Sequence, residues 1–176
     1  SSVAAAWSAA PLPMPARENS VRYGPTPPTE RDQPARTRTS VAVRPAKLSS
    51  MWAVEQVWKN DAVGMYMNSP ALKGNLVFGF SHKNRGQYFC LDAASGKTLW
   101  LGDGRQGENA AMVLAGESIV SLTNDASLVV STASATGLQT VRTYKAADSP
   151  TWAHPVLVRG GVLVKDATTL TFFGWE

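Results

Sequence analysis

The chain has 176 residues, 44% of them apolar, and a formal net charge of +4, enough for one domain with a fair core. Residues 1–50 hold seven Lys/Arg against three Asp/Glu, while the ten cations and ten anions of residues 51–176 cancel. That distribution argues against a basic globular face for nucleic acid, no apolar run is long enough to span a membrane, and the single Cys90 excludes an internal disulfide or a cysteine-based zinc cluster.

Taken in chain order, residues 1–50 come first and carry eight of the eleven prolines and none of the five phenylalanines. Two aromatics among Ser, Thr, Ala and Arg cannot offset an ordering entropy of ~1–2 kcal/mol per residue. The expectation is a disordered or extended tail or linker, with a domain boundary at residue 51. Its cations are spread rather than clustered, which disfavours an arginine arm for an anionic partner. The Ala-rich start resembles the small-residue end of a signal peptide but lacks the charged region and apolar core before it.

From about Trp52 the texture changes to short apolar runs broken by Gly, Asn, Asp and Ser. The predicted strands are Asn68–Leu72, Leu76–Ser81, Gly86–Leu91 and Thr98–Leu101. They continue as Ala111–Leu114, Ser118–Thr123, Leu128–Ser131 and Val141–Lys145, then Pro155–Val158, Val162–Asp166 and Thr169–Gly174. The turn glycines Gly74, Gly116 and Gly160 are 42 and 44 residues apart, and Trp58 and Trp100 are also 42 apart. A period of ~40–50 residues with several short strands each predicts propeller blades. No helical period emerges after residue 50. The fold class is therefore all-β, two to three four-stranded antiparallel blades over residues 51–176.

Gly96-Lys97-Thr98 ends like a phosphate-binding loop, but such a loop needs a glycine five places before Gly96, where Leu91 stands. Asp92 can accept backbone N–H bonds at a turn, and Gly96 can take positive φ, so the tripeptide reads as a hairpin turn. Gly102-Asp-Gly-Arg-Gln-Gly107 matches the dinucleotide pattern, yet the text after it is again β rather than helix. His82 and His154 lack a nucleophile elbow or further metal ligands in the sequence. Glu108-Asn109 and Asn60-Asp61 are carboxylate–amide neighbours of the kind calcium uses, and loops favour them in any case.

Cys90-Leu-Asp-Ala-Ala-Ser-Gly-Lys-Thr-Leu-Trp100 resembles the Ala-Leu-Asp-x-x-Thr-Gly-Lys-x-x-Trp repeat of the PQQ-like, or quinoprotein-like, β-propellers. Ser69-Pro-Ala-Leu72 and Trp152-Ala-His-Pro-Val156 resemble that family's blade-opening strand. The second repeat departs from it, since Leu128–Tyr144 has no Asp-x-x-x-Gly-Lys turn. The resemblance implies that Trp100 and Trp58 dock against neighbouring blades. Asp92, Gly96, Gly74, Gly116 and Gly160 are expected from the residues themselves to shape the turns.

A closed ring takes about 4–8 blades. The resemblance therefore implies part of a longer propeller, partnered by remaining blades or another protein, in a binding or scaffolding role in the periplasm or cell envelope. No catalytic, cofactor or metal residue is expected in the chain. The alternative is the end of a PQQ-dependent alcohol or sugar dehydrogenase, with PQQ and calcium held by blades elsewhere.

Overall fold

The computed structural model describes residues 39–174. Among the described residues thirteen strands follow one another, with a 3-10 turn at Lys83–Arg85 between the fourth and the fifth. A two-stranded ribbon comes first, β1 (Ser40–Leu48) against β2 (Met51–Asn60). Two four-stranded antiparallel sheets follow, each pairing neighbours in chain order. Sheet one is β3 (Ala71–Lys73), β4 (Leu76–Ser81), β5 (Gln87–Asp92) and β6 (Thr98–Leu101). Sheet two is β7 (Ala110–Ala115), β8 (Ser118–Thr123), β9 (Ser127–Ser134) and β10 (Gly137–Lys145). Sheet three has three strands, β11 (Val156–Val158), β12 (Gly161–Lys165) and β13 (Leu170–Gly174). Successive meanders of this kind are propeller blades.

The expected boundary at residue 51 moves back, because β1 starts at Ser40. Ala42 faces Trp58 across the ribbon. The proline-rich composition of the first fifty residues concealed this short strand. Residues 1–38 of the expected tail lie outside the described residues.

Burial explains why the strands are so apolar. On β5, Tyr88 and Cys90 face sheet two, where they join Phe78, Phe80, Met112 and Ile119 in one cluster. The alternate residues Phe89 and Leu91 pack on the other side with Val63, Met65 and Trp58. Both faces of sheet one are therefore covered, and β5 reads as a continuous apolar run instead of an alternating one. Val120, Leu122 and Leu128 repeat the arrangement against Val162 and Val164 of sheet three.

Candidate functional site

The residues singled out in the sequence hold sheets and turns. The Trp100 indole N–H donates to the Ser134 carbonyl at 3.1 Å, tying β6 to the end of β9 in the next sheet. Its ring lies 6.1 Å from that of Phe78. Trp58 reaches forward in the same way, its N–H donating to the Ala93 carbonyl at 2.8 Å. Its indole covers Gly96, where an added Cβ would stand 2.4 Å from the ring, and Gly96 has φ +71°. Asn60 fixes this contact by donating to the Gly96 carbonyl at 2.7 Å.

Asp92 accepts from the Ser95 amide at 2.8 Å and the Ser95 hydroxyl at 2.6 Å, and from the Asn75 amide group. These bonds, led by the Ser95 hydroxyl, hold its carboxyl below the usual aspartate range. With Gly96 N–H bonded to the Asp92 carbonyl, the Gly-Lys-Thr stretch closes a hairpin. Gly74, Gly116 and Gly160 take φ of +58°, +59° and +82° at the turns β3–β4, β7–β8 and β11–β12. The Asn109 side chain accepts from Asn68 at 2.9 Å, and that of Asn60 accepts from the Ala62 amide at 2.8 Å. Among the described residues no group of three or more His, Cys, Asp or Glu gathers.

One concave feature lies at the other end of the sheets, where chain enters each blade. A pocket of about 650 Å³ is lined there by Tyr66, His82, Arg85, Arg105, Gly107, Glu108 and Trp152. Tyr66, Glu108 and Trp152 stand 42 and 44 residues apart, each eight residues before a turn glycine. One position of the repeat, taken from three successive blade-entry loops, thus builds one wall. Arg85 comes from the connection between β4 and β5, and Arg105 from the same connection between β6 and β7 that carries Glu108.

Those two loops are clamped by backbone bonds. Arg105 N–H donates to the Asn84 carbonyl at 2.8 Å, Gln106 N–H to Gly86 at 3.1 Å, and Gly107 N–H to Arg85 at 3.2 Å. The approach leaves no room for a side chain at Gly86, whose Cβ would stand 1.9 Å from the Gly107 carbonyl oxygen. Asn84, Arg85 and Arg105 adopt φ of +54°, +62° and +66°, and Met67, beside Tyr66, has φ +45°. Non-glycine residues rarely take that region, and such strain clusters at ligand sites where the surroundings enforce it. Neither guanidinium has an ion-pair partner within 4.0 Å among the described residues. Tyr66 lies against His82, ring centres 5.5 Å apart, and Trp152 is 48% exposed.

The sequence reading named Glu108 and His82 only as weak metal candidates, and passed over Tyr66, Arg85, Arg105 and Trp152 as site residues. The signal lies in the repeat spacing, since the residues eight places before the turn glycines share their 42- and 44-residue period.

No family model matches the chain, and no curated protein matches it. Among solved structures it is similar to BamB from Moraxella catarrhalis, at 12% identity and a TM-score of 0.46, over 77% of this chain and 59% of that one. It is also similar to the computationally designed Ika8 protein, at 13% identity and 0.40, over 77% of this chain and 55% of that one. For the designed Ika4 protein the values are 15% and 0.38, over 64% of this chain and 99% of that one. The chain therefore spans less than two thirds of the length of BamB and of Ika8. At these TM-scores the architecture rests on the strand pairings themselves.

Proposed function

We propose that this chain is a non-catalytic binding or scaffolding module, part of a longer PQQ-like propeller, that presents its blade-entry rim to a protein partner. The supporting observation is the pocket lined by Tyr66, Glu108 and Trp152 together with the two strained, clamped loops that carry Arg85 and Arg105. A surface whose loops are already held in place binds without a further ordering cost. Location in the periplasm or cell envelope belongs to the same proposal and follows from the resemblance of the Cys90–Trp100 repeat.

The test places a photo-crosslinking residue at position 66, 152 or 72 of the full chain in its native cell. Leu72 is exposed on β3, beside the turn at the opposite end of the sheet. The same partner cross-linked at positions 66 and 152, and absent at 72, supports the proposal. Absence at both rim positions, or equal labelling at 72, overturns it.

A further inference from the structure

We infer that the rim pocket selects a carboxylate joined to an aromatic or apolar group, as at a peptide's C-terminal Phe or an acidic side chain beside an aromatic. This rests on the binding reading above and names its ligand chemistry.

Arg85 and Arg105 line one pocket, on loops that three backbone hydrogen bonds tie to each other. Two cations lining one pocket, with no carboxylate within ion-pair distance among the described residues, favour an anionic ligand. Guanidinium groups match planar oxyanions with paired N–H donors. Glu108 stands in the same pocket and sets the limit on ligand charge. With two arginines and one glutamate the lining is +1, which suits a monoanion and disfavours a phosphate dianion. Tyr66 and Trp152, 45% and 48% exposed, supply the apolar wall for a flat group next to the carboxylate. Glu108 also leaves a carboxylate to accept a peptide N–H from an extended ligand.

Fluorescence anisotropy with the full chain tests this using a labelled peptide ending in Phe with a free carboxylate. Its amidated form, and an amidated peptide with Asp before the Phe, distinguish a chain terminus from an acidic side chain. At least one carboxylate probe should saturate, and the fully amidated, uncharged probe should not. Arg85→Ala and Arg105→Ala should each weaken binding roughly tenfold or more, the scale of hydrogen bonds to a charged group. Arg→Lys should recover only part, and Glu108→Gln should make inorganic phosphate a better competitor. Both arginines are exposed, so circular dichroism should be unchanged. Equal binding of the uncharged probe, no saturable binding by either carboxylate probe, or unchanged affinity in both arginine variants overturns the inference. Rim cross-links that persist without peptide binding would remove the ligand class and leave the binding module standing.

Discussion

Gly86→Ala is the substitution on which the clamp between the two loops can be judged. The new Cβ would sit 1.9 Å from the Gly107 carbonyl oxygen, roughly half the ordinary separation of nonbonded heavy atoms. Backbone cannot rotate away as a long side chain can, so the loops must part. Parting loses the bonds from Gln106 N–H to Gly86 and from Gly107 N–H to Arg85, each worth about 1 kcal/mol. Alanine at φ +98° adds about 1–3 kcal/mol of strain. The total is ~3–5 kcal/mol, and the melting temperature should fall by roughly 10 °C or more. Gly74→Ala is the control, because its φ is +58° but nothing lies within 4 Å of its Cβ. It should cost about 1–2 kcal/mol, the conformational penalty alone. Thermal unfolding followed by circular dichroism compares the two. If Gly86→Ala costs no more than Gly74→Ala, the loops are not packed as described and the clamp argument fails.

Trp100→Ala should cost about 3 kcal/mol, from lost packing on Phe78 and the broken bond to Ser134, and urea unfolding measures it. A loss within error would deny the contact between sheets one and two. Stability should also fall in acid. Asp92, Asp125 and Asp166 all have carboxyls held below the ordinary aspartate value of 3.8, by hydrogen bonds led by the Ser95 hydroxyl, the Thr123 hydroxyl and the Thr169 amide. A depressed folded pKa means the stabilisation is complete above the unfolded value and disappears as pH drops through the folded one. The melting temperature should therefore hold above about pH 5 and decline below 3.8, and a flat profile through that window would show the turn carboxylates to be idle.

Most of the strand order was legible because apolar runs and turn glycines recur with the blade. Leu76–Ser81, Thr98–Leu101 and Ser118–Thr123 stand where the alternation of apolar runs and turn residues put them. β1 was not legible, since its partner β2 is broken by charged and polar residues and Pro45 sits in β1 opposite Val54. β10 begins at Gly137 rather than Val141, because Thr140 and Gln139 pair with Ser131 and Thr132 through polar text that carries little strand signal. The pocket was half legible. Spacing alone brings Tyr66, Glu108 and Trp152 to one end of three blades, but the left-handed turns at Asn84, Arg85 and Arg105 arise from contact between loops twenty residues apart, which no local pattern encodes.

Amide hydrogen exchange, residue by residue, tests the preorganised rim most directly. Arg105, Gln106 and Gly107 donate to carbonyls of the neighbouring loop, so their amides should exchange as slowly as those of β5, although the side chains around them are exposed. Fast exchange at all three, like that of an unpaired loop, would mean that the two arginine-bearing loops are not clamped before a partner arrives.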